Sequence, residues 1–370
     1  MCLFVIYYIL YMPFGLFKSK DRLGIDIGTS AIKIVELKKE SGRFILKNYG
    51  FFEFKSADNT PSLTESKQIK NILKLPDGEI IWGIKEVLKK AKIKSSDVVA
   101  SIPSFSTFAT VIEMPYISEQ DLAKTLPFEA RKYIPVPLDE VVLDWSIIDI
   151  PKNPVNTTKP TTVEVFLAAV PRDETMRYQR IMQGAGLNLR ALELENSALT
   201  RALLGNDLSP IVIVNIGGRS TSIVIVNGGY ERVSHNYEVG GFEITKSIAR
   251  SLNVSLEKAE ELKKKLGIKE IDENVINNSM KSLVDMMAFE TRKTITSYEE
   301  TKNQKISKVL LVGGLTNMPN FASYFQQKLG REVYMGNALA RVIYPQTLSP
   351  VIQEISSTFA VATGLAMREI

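Results

Sequence analysis

The clearest pattern in this sequence is a pair of apolar strands joined by a short polar turn, and it occurs twice. In the first copy, Leu23–Ile27 and Ala31–Leu37 flank a turn made of one glycine and two hydroxyl residues. The second copy runs from Ile211 to Val226. Each copy is followed by another apolar-rich stretch, at 43–54 and 230–239, that predicts a third strand. The repetition of one design in two parts of the chain indicates a duplicated fold.

A stretch of different texture separates the two copies. It predicts a strand, a helix, two strands and a helix, over 107–114, 118–134, 141–150, 162–170 and 172–183. Pro127 falls inside the first of these helices and is expected to kink or break it. Because the set is compact, we expect an inserted module at 107–188 within a first subdomain formed by 22–106 and 189–208.

The second half begins at Pro210 and contains longer helical patterns. Ser255 and Gly267 are typical caps of a helix, and 276–301 predicts a long helix in which Met286, Met287 and Phe289 fill the core.

Composition narrows the class of protein. The 370 residues are 45% hydrophobic and 24% charged, as in an ordinary globular α/β protein. The net charge of +5 is small and dispersed, which argues against nucleic acid as a partner. The single cysteine excludes an internal disulfide framework and a thiolate zinc cluster, and the single histidine argues against a catalytic triad.

The first 17 residues are apolar but short for a membrane span, and Pro13 and Gly15 interrupt them. We expect residues 1–11 to be an extension of the reading frame, with the working protein starting near Met12 and residues 1–21 forming an N-terminal arm. The alternative is a membrane-touching anchor, aided by the basic residues that follow it.

The first turn carries candidate chemistry. Gly28, Thr29 and Ser30 could form a cradle of backbone N–H groups for an anion, since glycine lets another group approach the backbone closely. Asp26 is placed to hold a hydrated magnesium ion, and Lys33 could reach the same phosphates. The alternative is an ordinary hairpin without a ligand.

Three further glycine sites could face the first turn across a cleft between the two halves. The second turn carries Gly217 and Gly218, and Gly240-Gly241 precedes a helix whose first N–H groups could face an anion. Gly313-Gly314 follows a buried strand and could leave a flat surface for an adenine ring. The alternative for this last pair is a loop that needs glycine for its geometry alone.

In this order, the turns at Asp26-x-Gly28-Thr29, Asn215-x-Gly217-Gly218 and Val312-Gly313-Gly314 resemble the phosphate-one, phosphate-two and adenosine motifs of the actin, sugar-kinase and heat-shock-70 superfamily. Within it, the chain most resembles the PilM family of type IV pilus assembly, which is related to FtsA. The stretches that carry this likeness lie at 14–17, 24–28, 112–115, 128–135, 139–141, 240–245 and 360–366. The resemblance implies an actin-like, ribonuclease H-like duplicated fold, in which the module at 107–188 corresponds to the 1C (SHS2-type) subdomain, 22–106 with 189–208 to subdomain 1A, 209–250 with 306–370 to 2A, and 251–305 to 2B.

The resemblance also implies a site for ATP or ADP with Mg²⁺. Glu260 and Lys263 resemble the pair that contacts the ribose, although an exposed ion pair one helical turn apart is the alternative. Glu195 matches the position of a group that orients the attacking water, although a carboxylate that starts a helix is the alternative. The full set of cofactor contacts implied is Asp26, Gly28, Thr29, Ser30, Lys33, Asn215, Gly217, Gly218, Ser220, Gly240, Gly241, Glu260, Lys263, Gly313, Gly314 and Asn317.

One departure from the family changes the expected activity. The second phosphate turn usually begins with aspartate, whereas this chain has Asn215. An amide can hydrogen-bond a metal-bound water but cannot act as a base or neutralise magnesium. We therefore expect nucleotide binding with slow or absent hydrolysis.

The resemblance further implies a cytoplasmic scaffold, peripheral at the inner membrane. Its implied partner is the cytoplasmic N-terminal tail of a PilN-like protein, held as an extended peptide in a groove beside 112–115 and the Phe128 helix. Self-association is also implied. Two alternatives remain at this stage. One is an FtsA-like membrane-associated filament protein, for which the C-terminal residues offer no amphipathic tail. The other is an actin-fold small-molecule kinase, against which Asn215 argues.

Overall fold

The structure, a computed structural model, describes residues 21–54, 75–115, 118–149, 162–269 and 275–369. The N-terminal arm, its expected start at Met12 and the polar turn at 151–160 lie outside the described residues. Within these ranges, no helix has both the length and the apolar character needed to cross a bilayer.

The strands alternate with helices along most of the chain. The strands are β1 (Asp21–Ile27), β2 (Ala31–Glu40), β3 (Arg43–Glu53), β4 (Asp97–Ile102), β5 (Phe108–Pro115), β6 (Val141–Asp149), β7 (Thr162–Pro171), β8 (Asn188–Leu194), β9 (Ile211–Ile216), β10 (Thr221–Asn227), β11 (Tyr230–Tyr237), β12 (Lys308–Val312), β13 (Val333–Met335) and β14 (Val342–Ile343). The helices are α1 (Asp77–Lys90), α2 (Glu119–Ala130), α3 (Arg172–Gly184), α4 (Glu195–Leu204), α5 (Gly241–Leu252), α6 (Leu256–Leu266), α7 (Val275–Lys302), α8 (Phe321–Leu329), α9 (Ile352–Thr358) and α10 (Ala360–Ala366).

Two sheets share one topology, which confirms the duplication predicted from the repeated turns. In the first, an antiparallel meander of β1, β2 and β3 is extended by parallel β4 and β8 in the order β14-β3-β2-β1-β4-β8. In the second, the meander of β9, β10 and β11 is extended by parallel β12 and β13 in the order β11-β10-β9-β12-β13. The turns β1–β2 and β9–β10 therefore occupy equivalent positions in the two halves.

The stretch between the two copies forms its own three-stranded antiparallel sheet, in the order β5-β7-β6. One of its faces packs on α2, where Leu122, Leu126 and Ala130 are buried. Its other side joins the core of the first half through Phe166 on β7 and Met182 on α3. The inserted module is thus anchored on the first sheet.

A separate apolar cluster lies between the two halves. It brings α4 and α10 together with one face of the second sheet, and its members include Leu199, Val224, Val312 and Leu365. The second sheet has its own core against α5, α7 and α8. The two halves therefore meet through packed helices as well as through the turns.

The C-terminal segment differs from the sequence expectation, which placed all of 306–370 with the second half. In the structure, β14 pairs with β3 of the first sheet, and α10 packs on β1. Glycines make this packing close: a Cβ on Gly24 would lie 2.1 Å from the carbonyl oxygen of Ala362, and one on Gly364 would lie 1.9 Å from that of Ala198. Residues 342–366 thus contact the first half as well as the second, and the subdomain boundaries stay predictions.

Two local expectations were also wrong. The helix expected to reach Ile134 ends at Ala130, one turn after Pro127, which lies inside it and cannot donate a backbone hydrogen bond. Phe289 was expected in the core, but its side chain is 59% exposed, whereas Met287 on the same helix is fully buried.

Candidate functional site

The two glycine turns meet where the halves of the molecule face each other. Each turn is closed by the same bond, since the Gly28 amide donates to the Ala31 carbonyl at 3.0 Å and the Gly217 amide donates to the Ser220 carbonyl at 2.9 Å. Gly218 lies directly against the first turn, because a Cβ added there would lie 2.1 Å from the Oγ of Ser30. The duplicated turns thus form one continuous surface of backbone and hydroxyl groups.

Asp26 is buried at the end of β1, beside the first turn. Its Oδ2 accepts a hydrogen bond from Lys33 Nζ at 3.1 Å, and its Oδ1 accepts one from Ser101 Oγ at 3.1 Å. Asp26 and Lys33 are opposite each other in the β1–β2 register, so the strand pairing itself creates this ion pair. Lys33 therefore neutralises Asp26 while its ammonium group stays beside the turn.

Glu195 and Asn215 connect the two halves. Glu195 starts α4 after the last strand of the first sheet, and its Oε1 accepts a hydrogen bond from Asn215 Nδ2 at 2.7 Å. Its Oε2 accepts a longer bond, 3.4 Å, from the Ser104 amide. Burial and the nearby charge of Asp26 raise the pKa of Glu195 to about 7, although the bonds from Ser104 and Asn215 oppose this rise. A carboxyl group with such a pKa can exchange a proton near neutral pH.

The start of α5 differs from the expectation that its N–H groups face an anion. The Gly241 amide donates to the Gly217 carbonyl at 3.0 Å, and the Phe242 amide donates to the Gly218 carbonyl at 2.7 Å. A Cβ on Gly240 would lie 2.6 Å from the Gly217 oxygen, which explains the glycine there. These first amides hold the second turn in place, so they are not available to a ligand.

Glu260 and Lys263 on α6 also hold the start of α5 in place. Lys263 is buried and donates to Glu260, to the Gly241 carbonyl and to the Thr245 hydroxyl at 2.6, 3.0 and 2.9 Å. Burial lowers the pKa of Lys263, and Glu260 partly restores it. The ion pair one helical turn apart is therefore present, but Lys263 is buried and not exposed as that alternative expected.

The two glycines of the third pair, Gly313 and Gly314, have different roles. Gly313 has φ of +100°, and a Cβ there would lie 2.3 Å from the Ile216 carbonyl, so backbone geometry alone requires glycine. At Gly314 an added Cβ would meet no atom within 4 Å, which leaves an open backbone surface. Asn317 donates to the Thr358 hydroxyl at 3.0 Å and so fastens this loop to α9.

Sequence reasoning missed a buried polar network below the turns. Asn196 accepts a hydrogen bond from Ser104 at 2.8 Å and from Ser222 at 3.3 Å, and it donates to Ser234 at 3.1 Å. It therefore links the base of the module, the first half and the second sheet. In the sequence, only the position of Asn196 next to Glu195 pointed to this network. The serines have no characteristic spacing along the chain, so the sequence does not connect them to one another.

Comparison with known proteins agrees with this geometry. The model of the family described as type IV pilus assembly protein PilM matches residues 24–370. The chain belongs to the PilM family. A solved PilM–PilN type IV pilus biogenesis complex contains a chain that is 26% identical, with a TM-score of 0.77 over 95% of this chain and 99% of that one. The actin-like fold predicted from the three glycine motifs is therefore confirmed.

More distant relatives extend the picture. The cell division protein FtsA of Bacillus subtilis is 26% identical over 226 residues, which is 55% of this chain and 50% of FtsA. The chain spans about half the length of the curated relatives it matches. The ethanolamine utilization protein EutJ of Carboxydothermus hydrogenoformans, 16% identical with a TM-score of 0.55 over 95% of this chain and 91% of its own, shares the fold.

Proposed function

We propose that this PilM-family protein is an ATP-binding scaffold of the type IV pilus assembly platform that holds the cytoplasmic tail of a PilN-like inner-membrane protein. The observation that carries the proposal is the meeting of two equivalent glycine turns, one from each half, at Ser30 and Gly218. A ligand bound at these turns contacts both halves at once, so it can bias their relative position.

In this proposal the phosphates of ATP or ADP lie along the first turn, at Gly28, Thr29 and Ser30, and along Gly217, Gly218 and Ser220 of the second. Lys33 is close enough to the first turn to contribute its charge, since its Nζ would lie 3.8 Å from a Cβ on Gly28. The open surface at Gly314 would receive the adenine, and the ribose would lie toward Glu260 and Lys263.

The donor set also fits hydrated magnesium, which takes few protein carboxylates and keeps several waters. Asp26 supplies one carboxylate beside the first turn, but both its oxygens already accept hydrogen bonds. Among the described residues, no group of three or more His, Cys, Asp or Glu side chains could hold a metal. We therefore propose contact through water, with the ion offsetting phosphate charge.

We propose that hydrolysis is slow. Glu195 has a pKa suited to a base, yet the Asn215 amide holds one of its oxygens and the Ser104 amide the other. Asn215 itself cannot accept a proton from water. The expected turnover lies below about one per second, the low end of ordinary enzyme rates.

The proposed surface for the PilN-like tail lies on the module. Phe105, at the junction with the first half, is 40% exposed, and Phe128, Tyr133 and Val136 on the module are 65%, 43% and 43% exposed. Exposed apolar side chains such as these suit contact with an extended peptide. The similar PilM–PilN complex supports this partner class, which would place the protein at the cytoplasmic face of the inner membrane.

Calorimetric titration with ATP and ADP tests the nucleotide part. We expect binding to the native chain and a loss of at least about tenfold in Gly218→Ala, because the added methyl group overlaps Ser30 and separates the turns. Gly78→Ala is the control, since a Cβ there meets no atom within 4 Å. No heat with either nucleotide would refute this part.

Fluorescence anisotropy with a labelled N-terminal peptide of a PilN-like protein from the same genome tests the partner. Phe128→Ala should weaken binding, whereas Phe289→Ala, which changes a similarly exposed phenylalanine on α7 of the other half, should not. Equal effects of both substitutions, or no binding by the native chain, would refute the proposed surface.

A further inference from the structure

Arg219 stands out among the charged residues around the turns. It lies in the second turn, directly after Gly218, which contacts Ser30. It is partly buried, and in the described part of the chain no carboxylate lies within 4.0 Å of its guanidinium and no hydrogen bond satisfies its donors. An arginine presents five N–H donors in a fixed plane, so this position holds an unused capacity for an anion.

The other cations beside the turns are already paired with carboxylates. Lys33 is bonded to Asp26, Lys263 to Glu260, and Lys246 to Glu243 at 2.9 Å. Glu243, the acidic residue whose charge acts on Arg219, is thus engaged with Lys246. Among the described residues, Arg219 is therefore the cation beside the turns that can bind phosphate oxygens without first leaving a carboxylate.

The position of the guanidinium is fixed by an aromatic ring. Its Cζ lies 4.4 Å from the centroid of the Phe242 ring. The backbone amide of Phe242 in turn donates a hydrogen bond to the Gly218 carbonyl. Stacking on a ring restricts the side chain but leaves the N–H edge free to bind, which is how arginine recognises planar or bidentate anions. Phe242 thus orients Arg219 beside the second turn.

We propose that Arg219 binds the terminal phosphates of the nucleotide and makes the site selective for nucleoside di- and triphosphates over nucleosides. This inference rests on the proposed nucleotide site. It assigns part of the charge compensation to a protein side chain at the turn where Asn215 replaces the family's aspartate.

The test compares binding of ATP, ADP and adenosine to the native chain, Arg219→Gln, Arg219→Lys and Lys246→Gln, with circular dichroism to check folding. Lys246 lies over the same ring, 5.2 Å from its centroid, but is paired with Glu243, so Lys246→Gln acts on Arg219 only by releasing that carboxylate and should weaken ATP binding less than Arg219→Gln does. We expect Arg219→Gln to weaken ATP binding about 10- to 100-fold and to leave adenosine binding unchanged, with partial recovery in Arg219→Lys. The ATP affinity of Arg219→Gln should also depend less on salt concentration than that of the native chain.

Two results would overturn the inference while leaving the nucleotide site intact. One is unchanged ATP binding in Arg219→Gln. The other is an equal loss of ATP and adenosine, which would show that Arg219 only supports α5 through Phe242. If the native chain binds neither ATP nor adenosine, the proposed function itself fails.

Discussion

Replacing Glu231 by glutamine removes a buried carboxylate that its neighbours compensate only in part. Glu231 lies on β11 opposite Val226, at an irregularity of the β10–β11 pairing, and it is only 7% exposed. Among the described residues, none donates a well-formed hydrogen bond to either of its oxygens. Burial raises the pKa of Glu231 to about 7 from 4.5, and nearby Asn196 and Ser234 offset only part of this rise.

The magnitude follows from linkage between protonation and folding. A pKa of about 7 in the folded state against 4.5 in the unfolded state corresponds to about 3 kcal/mol, at about 1.4 kcal/mol per pH unit. The folded state keeps its proton longer than the unfolded state, so this group's stabilisation is complete below pH 4.5 and disappears as the pH rises to about 7. Glutamine keeps the shape but never ionises.

Urea denaturation of the native chain and of Glu231→Gln at pH 5 and pH 8 measures this effect. We expect the variant to gain up to about 3 kcal/mol relative to the native chain between the two pH values. Glu238→Gln, at an exposed position just beyond the same strand, serves as the control and should give no such gain. A pH-independent difference for Glu231→Gln would show that the carboxylate is solvated or paired, and would refute the reasoning.

Three further predictions concern packing and charge. Gly364→Ala should cost about 3 kcal/mol in urea denaturation, because the methyl group would lie 1.9 Å from the Ala198 oxygen, whereas Gly314→Ala, with no atom within 4 Å, should cost little; equal costs would contradict the close packing. Arg331 donates hydrogen bonds to Glu299 from both terminal guanidinium nitrogens, at 2.9 and 2.8 Å, and lowers the pKa of Glu299 to about 2 from 4.5. Glu299→Gln should therefore lower the free energy of unfolding by about 3 kcal/mol at pH 7. The difference between the variant and the native chain should shrink as the pH falls from 4.5 toward 2. Asn215→Asp places a second carboxylate beside that of Glu195 and should destabilise the chain by about 1–3 kcal/mol at pH 8. The loss should be smaller at pH 5, where Glu195 is protonated. An equal loss of stability at both pH values would contradict the contact between Glu195 and residue 215.

Much of the fold could be predicted because local pattern and duplication carry it. The apolar strands on either side of Gly28 and Gly217 fixed both meanders, and the caps at Ser255 and Gly267 marked α6 as the structure has it. Pairing between distant segments could not be predicted in this way. Nothing local in Val342–Ile343 indicates a partner on β3, almost 300 residues earlier, so this contact of the C-terminal segment with the first sheet was not predicted.

At the site, the sequence identified the turns but not what each group contacts. Asp26 and Lys33 followed from strand register, whereas the amides of Gly241 and Phe242 are used by carbonyls of a turn more than 20 residues earlier. The burial of Lys263 and the exposure of Phe289 depend on which helix face packs against neighbouring elements, and α7 carries apolar residues on more than one face.

The most direct test of the central claim is a crystal structure of the chain with a non-hydrolysable ATP analogue, grown at a concentration that saturates binding in calorimetry. We predict that the phosphates lie along 28–30 and 217–220, between the two halves, with the adenine toward Gly314. Nucleotide bound elsewhere on the molecule, with the contact between Ser30 and Gly218 unchanged, would contradict the account.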